Sequence, residues 1–294
     1  MRLARWSTPA GPQVGRVDGE RVVPLAGTIV ELALAATRHP GWVAPAAGEA
    51  VPLASVELLA PVEPPGAVRD FYAFERHVAS ARAGRGMPFD PGWYERPVFY
   101  FSNPAAIAGP GAVVVPPPRC RQLDFELEFG WLVGEQLRGA DLAAATRAIV
   151  GYTVLNDWSA RDVQREEMRM GLGPAKGKDF ATTAGPVLVT ADEFDPARGG
   201  MQARVDGRPY GRADRSECYW SPAEMTAFAA EAAVVRPGDL FGSGAAGTGC
   251  ILELSLTHGI ERFPWLVPGA VVELEIDGIG TLVNTIVGDE VFGR

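Results

Sequence analysis

An α+β architecture, mostly β, is the fold class this sequence predicts, and three observations carry it. Short runs of alternating or β-branched residues recur along most of the chain, only a few stretches keep a helical period, and strands do not alternate regularly with helices. At 294 residues the chain exceeds the usual single domain yet can bury a large core, so one main domain with a minor piece is expected.

The opening stretch reads as short strands, Arg2 to Trp6, Gln13 to Val17 and Arg21 to Val23, with an Asp18-Gly19 hairpin signal between the last two. Thr28 and Glu31 form a capping-box pattern ahead of Leu32, Leu34 and Ala35, which predicts a short helix. Pro61 to Gly66 is stiff and turn-rich and suits a linker, dividing a small β-rich unit, 1–60, from a larger unit, 61–294. Beyond it, Asp70 is placed to cap a helix on which Phe71, Phe74, Val78 and Ala81 recur and on which His77 lies. Val98 to Phe101 and Ala112 to Val115 read as strands, and Phe125, Leu127, Phe129, Trp131 and Val133 alternate with Asp124, Glu126, Glu128 and Gly130 at the period of a strand. Ile149 to Leu155 is a strand and Ser159 to Met168 a helix. Pro186 to Thr190 and Met201 to Val205 are strands, the second entering an Asp206-Gly207 turn. Ser221, Pro222 and Glu224 combine a capping box with proline at the first helical position, ahead of Met225 to Ala233. The remaining runs, Ile251 to Leu256 and Val271 to Val287 with an Asp277-Gly278 turn, are read as strands.

Composition excludes several classes of function. Hydrophobic residues make up 47% and charged residues 21%, the balance of a globular protein rather than a disordered or fibrous one. The net charge of −9, with no clustered Lys/Arg stripe, argues against nucleic acid as a partner. No window approaches the roughly 18 uninterrupted apolar residues of a membrane span, and no signal peptide is evident. Cys120, Cys218 and Cys250 are odd in number and far apart, which predicts reduced thiols and a cytoplasmic location.

Because strand side chains alternate, Asp124, Glu126 and Glu128 project from one side while Phe125, Leu127 and Phe129 fill the other. Such a row is either a solvated face or the start of a cation site, since two carboxylates two positions apart reach one ion and oxygen ligands select Mg²⁺, Mn²⁺ or Ca²⁺ over zinc. Asp157, ending the apolar run from Ile149, offers a third ligand or, alternatively, a helix N-cap. The glycine-rich stretch Gly242 to Gly249 is an alternative anion cradle, though it lacks the Gly-Lys-Ser/Thr of a P-loop. Lys178 is a loop lysine or a site residue. His39 and His258 have structural or exposed positions, whereas His77 precedes a Gly/Pro loop and is either a surface histidine or a general base under a lid.

Several motifs together resemble the fumarylacetoacetate hydrolase family over about Val68 to Val287. Leu123 to Glu128 looks like the family's paired-glutamate metal strand, Gly151 to Gln164 like its most recognisable block, and Gly177-Lys178-Asp179-Phe180 and Gly242-Ser243-Gly244 through Ile251-Leu252-Glu253-Leu254 also match. Asp70-Phe71-Tyr72 followed by His77 is similar to the branch that cleaves carbon–carbon bonds rather than to shorter relatives with a His-x-x-Glu dyad. The resemblance implies a mixed β-roll or sandwich catalytic domain, with Mg²⁺ (or Mn²⁺ or Ca²⁺) held by Asp70, Glu126, Glu128 and Asp157. It implies His77 as general base oriented by Glu253, Lys178 and Gln164 stabilising developing charge, and Tyr72, Tyr100 and Arg161 at the substrate, with Arg82 or Arg85 closing over a substrate carboxylate. The implied partner is a small anionic keto acid or diketone, the implied reaction hydrolysis of a β-diketone or acylpyruvate, with keto-diacid isomerisation or decarboxylation and a non-catalytic metal-binding role as alternatives, and the implied assembly a homodimer. Ala245 and Ala246 depart from the family pattern, which often places a hydroxyl residue there, and point to an unusual substrate.

Overall fold

The computed structural model describes residues 1–84 and 86–288. A meander of β1 (Arg2–Trp6), β2 (Gln13–Asp18) and β3 (Arg21–Leu25) leads into helix α1 (Ile29–Arg38), and the short strands β4 (Val51–Pro52) and β5 (Leu58–Leu59) return to it. There follow β6 (Val68–Phe71), α2 (Glu75–Ala83), β7 (Phe99–Ser102), β8 (Ile107–Ala108), β9 (Val113–Val114) and β10 (Leu123–Asp124). The central segment carries β11 (Leu127–Val133), α3 (Leu142–Ala148), β12 (Ile149–Asp157), β13 (Ser159–Ala160), α4 (Arg161–Arg169) and β14 (Thr182–Thr190). Last come β15 (Gly200–Val205), β16 (Arg208–Asp214), α5 (Pro222–Ala229), β17 (Leu240–Gly242), α6 (Ile251–His258), β18 (Val271–Ile276) and β19 (Gly280–Ile286).

The principal sheet runs β4-β3-β2-β1-β14-β12-β11-β17-β6-β7, with β5 beside β1 and β8 beside β14, so the opening meander continues the sheet that the later strands build. A second sheet, β16-β15-β18-β19-β9, packs on it, and its strands β15 and β18 alternate buried with half-buried residues as a one-faced sheet should. Every residue of β11 and β12 is buried, because both faces of the principal sheet are covered there. On one face Phe71, Phe129, Trp131 and Phe241 interleave, with ring centroids 5.4 Å apart between Trp131 and Phe241 and 6.3 Å between Phe71 and Trp131. On the other, α1 lays Ile29 and Leu32 over Leu132, Val150 and Leu188. Residues 61–66 carry no regular structure but are tied down: Arg5 Nη1 donates to the Val62 carbonyl at 2.9 Å, and Glu63 Oε1 accepts from Ile29 N at 2.8 Å.

The capping boxes at Thr28/Glu31 and Ser221/Glu224 start helices where the sequence places them. Three local expectations are corrected. Asp70 lies inside strand β6, paired with Gly242 on one side and Tyr100 on the other, and α2 begins only after Phe74. The helix expected from Ser159 starts at Arg161, because Ser159 and Ala160 pair with Asp124 and Leu123. Ile251 to Leu256 is helical, not extended: Asp124 accepts the Ile251 and Leu252 amides at 2.6 and 3.0 Å and so caps α6 from a distant strand, a contact invisible to local patterning.

Candidate functional site

The acidic row is buried. Asp124 and Glu128 are fully shielded from solvent and Glu126 nearly so, which removes the solvated-face alternative. The three do not stay together, since β10 ends at Asp124 and β11 resumes at Leu127. At that break the Asn156 side chain accepts the Glu126 amide at 3.0 Å. Asp124 turns toward the start of α6, while Glu126 and Glu128 turn toward Asp70 on β6 and Asp157 at the end of β12. Each of the four carboxylates, Asp70, Glu126, Glu128 and Asp157, offers an oxygen within 4.8 Å of the others. Asp157 therefore ends a strand and caps no helix.

Glycine makes this convergence sterically feasible. Gly242 pairs between Asp70 and Gly130, and a Cβ on it would lie 2.7 Å from both Asp70 Oδ1 and Glu128 Oε2. Gly244, at φ +79°, approaches the Phe71 carbonyl so closely that a Cβ would lie 2.3 Å from it, and its amide donates to Glu128 Oε2 at 3.0 Å. The anion that the glycine-rich loop cradles is thus a carboxylate of this chain. Ala245 and Ala246 are buried, and the Ala246 amide donates to the Leu127 carbonyl.

Two cations partly balance the cluster. Lys178 Nζ donates to Glu126 Oε2 at 2.6 Å and also contacts Asp157 Oδ2. Arg161 donates through Nε to Asp124 at 2.8 Å, through Nη2 to Glu126 at 2.7 Å and through Nη1 to the Gln164 side chain at 3.1 Å. A Cβ on Gly177 would sit 2.7 Å from Gln164 N, so only glycine lets the lysine-bearing loop close on α4. Tyr100 donates toward Asp157 at 2.5 Å and Asp70 at 3.3 Å.

The electrostatics are uneven. Burial, then Asp157, pushes Asp70 well above the usual carboxylate range, and burial with Asp70 and Glu126 does the same to Glu128. Asp157 is also raised, chiefly by burial. Glu126 goes the other way, because Lys178 and Arg161 outweigh its burial and hold it low. Burial and Asp157 push the Tyr100 phenol well up, and Asp157 and Glu126 hold Lys178 high despite its burial.

Beside the carboxylates, His77 on α2 places Nδ1 3.2 Å from Glu253 Oε2 on α6, both side chains buried. In the tautomer that donates from Nδ1 to the Glu253 carboxylate, Nε2 carries the lone pair. The Tyr72 ring meets the imidazole edge-on with centroids 5.5 Å apart. Arg82 is half-buried and donates to the Pro88 carbonyl, and Arg85 lies outside the described residues. His39 and His258 are exposed, at the ends of α1 and α6. Asp124 and Asn156 were not singled out as organising residues by the sequence, because their partners come from elements distant in the chain.

Three carboxylate oxygens of the cluster, Asp70 Oδ1, Glu128 Oε1 and Asp157 Oδ1, are buried without a hydrogen-bond partner. Unpaired buried carboxylates are costly, and an all-oxygen donor set of this kind suits a hard divalent cation. The four residues therefore fit such an ion.

Comparison with known proteins matches residues 66–287 to the fumarylacetoacetate (FAA) hydrolase C-terminal family and residues 1–61 to the Rv2993c-like N-terminal family. The protein Rv2993c of Mycobacterium tuberculosis is 30% identical over 289 residues, covering 98% of each chain. A fumarylacetoacetase of Oryza sativa is 26% identical over 261 residues, 70% of this chain and 60% of that one. The crystal structure of a 5-carboxymethyl-2-hydroxymuconate delta-isomerase from Mycobacterium smegmatis superimposes with a TM-score of 0.75 at 26% identity, covering 98% of this chain and 100% of the other.

Proposed function

Because this chain belongs to the fumarylacetoacetate hydrolase family, we propose that it is a divalent-metal-dependent hydrolase that cleaves a carbon–carbon bond in a small β-diketone or acylpyruvate acid. The observation that carries the choice of hydrolysis is the buried His77–Glu253 pair beside the carboxylate cluster, since a positioned base is what water attack requires.

Asp70, Glu126, Glu128 and Asp157 are the residues that would hold the cation, Mg²⁺ or Mn²⁺ by donor type. Bound there, it would supply Lewis acidity toward the two oxygens of a chelating diketone and stabilise the enolate that departs when the bond breaks. Nε2 of His77 takes a proton from the attacking water while Glu253 holds the ring and stabilises the imidazolium. Lys178 uses two N–H groups on Glu126 and Asp157, leaving a third for a substrate oxygen, and Gln164, fixed by Arg161, offers its amide to the same developing charge. Tyr72 walls the imidazole, and Tyr100 and Arg161 brace the carboxylates at the substrate's edge.

A second reading has its own support. The similar protein from M. smegmatis is named as an isomerase, and tautomerising a keto-diacid uses the same cation without an attacking water. The two readings separate in an assay of acylpyruvates and keto-diacids with Mg²⁺ or Mn²⁺ and with EDTA, in ¹⁸O-water, with products identified by mass. Cation-dependent cleavage with ¹⁸O in one acid product, lost by about 10²- to 10⁴-fold in His77→Ala, supports the hydrolase. Tautomerisation or carbon dioxide release alone, unchanged in His77→Ala, moves the protein to the isomerase and decarboxylase branch.

A further inference from the structure

Cys250 Sγ, at the start of α6, lies 3.9 Å from His77 Nδ1, the same nitrogen that meets Glu253. A Cys–His–acid relay needs thiol and acid on opposite ring nitrogens, so this arrangement does not build a thiol nucleophile. Its geometry suits a different purpose. His77, Cys250 and Glu253 each offer a donor atom within 4.8 Å of the others, and all three side chains are buried. For a tetrahedral zinc with Zn–S near 2.3 Å and Zn–N or Zn–O near 2.05 Å, neighbouring donors stand about 3.6 Å apart for S···N and about 3.3 Å for N···O. The structure holds these two pairs at 3.9 and 3.2 Å, each within a few tenths of an ångström of its coordinating distance, and keeps the third pair, thiol and carboxylate, within 4.8 Å.

We propose that His77, Cys250 and Glu253 form a second metal site, selective for a borderline-soft dication such as Zn²⁺, which when occupied leaves Nε2 of His77 protonated, so that it no longer serves as base, and inhibits the enzyme. The two sites sort cations by donor chemistry. Four carboxylates suit Mg²⁺ or Mn²⁺, whereas imidazole, thiolate and one carboxylate suit zinc, cadmium or cobalt, with a fourth position left for water. Binding is not redox. The thiol proton passes to solvent as Sγ becomes a ligand, and the ring proton ends on Nε2 as Nδ1 becomes one, so the imidazole binds as a neutral ligand whose Nε2 no longer has a lone pair for water. Cys250 takes no part in the proposed hydrolysis. Metal binding here is independent of the assigned reaction, while its inhibitory effect rests on His77 being the base.

The test uses the full chain with Mg²⁺ in excess, titrated with Co²⁺ and then Zn²⁺. A thiolate-to-cobalt charge-transfer band in the near ultraviolet, displaced by Zn²⁺, is expected in the wild type and in Cys120→Ala/Cys218→Ala, and absent in Cys250→Ala and Cys250→Ser. All-oxygen sites give no such band. The half-inhibitory zinc concentration should rise at least about tenfold in both Cys250 variants, since even an outer partner of a metal ligand is worth that much. No band in the wild type, or a band that survives loss of Cys250, overturns the site. A Cys250-dependent band without inhibition supports the site and instead overturns His77 as the base.

Discussion

Asp124 and Glu128 stand four residues apart on one stretch of chain, both are fully buried, and burial pushes both carboxyls upward, yet they occupy opposite kinds of environment. Asp124 receives the Ile251 and Leu252 amides and Arg161 Nε, so each oxygen has a donor. Glu128 has the Gly244 amide on one oxygen, nothing on the other, and three carboxylates for neighbours. The first is a structural charge, completed by the chain itself. The second is completed only by something the chain must recruit. Burial alone does not mark a functional acid, whereas burial with unmet acceptors and like-charged company does.

The contrast breaks if either residue behaves like the other. Asp124→Ala strips a buried guanidinium of one of its two carboxylate partners and uncaps α6, and the expected loss is about 3 to 5 kcal/mol of unfolding free energy in urea. Because α6 carries Glu253, hydrolysis should fall as well. Glu128→Ala should weaken cation binding by more than about 100-fold by calorimetry, beyond the usual cost of losing an outer partner. It should leave the melting temperature in EDTA unchanged or higher, because a repelling charge is gone. If Glu128→Ala lowers stability as Asp124→Ala does, the cluster is structural and the assignment of a metal centre fails.

The difference between the two acids was only partly legible in the sequence. Alternation puts Asp124, Glu126 and Glu128 on one side, and within β11 the alternation holds: Leu127, Phe129, Trp131 and Val133 join one core cluster and Leu132 the other. It says nothing of the break before Leu127 that sends Asp124 elsewhere, because the break is held by Asn156 from the neighbouring strand. The run Ile251 to Leu256 reads as a strand for the same reason: the cap that makes it a helix comes from Asp124. Local signals succeeded where the partner was local, as at Thr28/Glu31 and Ser221/Glu224. The strand period offered Glu126 and Glu128, and the end of the next apolar run Asp157, as candidate ligands; the resemblance to a family added Asp70, and the fold brings the four together.

Acidity sharpens the contrast further. In the cation-free protein Asp70, Glu128 and Asp157 have raised values, so they favour the fold at low pH and that contribution is lost as pH rises through those values. Glu126, held low, works in the opposite sense and loses its contribution only in strong acid. The net expectation is a melting temperature in EDTA that declines as pH climbs above the ordinary carboxyl range. Added Mg²⁺ should reverse that slope, because the cation displaces the protons. Affinity should then rise about tenfold per pH unit for each proton released, measured by titration in buffers of different ionisation enthalpy. A pH-independent affinity would mean that the carboxyls are already ionised, leaving the excess charge to be balanced in another way.

The smallest expected effect isolates how the cluster is held rather than what it holds. Tyr100 lies on the edge strand β7, its backbone paired with Asp70, and its hydroxyl reaches both Asp70 and Asp157. The single hydroxyl hydrogen, shared between Asp157 at 2.5 Å and Asp70 at 3.3 Å, orients two of the proposed ligands without supplying a ligand. Tyr100→Phe keeps the ring and its position near Lys178, so packing is preserved while the orienting donor is lost. Cation affinity should drop about tenfold, the lower end for an outer partner, with unfolding free energy little changed. Should the variant instead bind as tightly as the wild type, orientation must come from the backbone pairing of β6 with β7 and β17, which Tyr100→Phe leaves intact.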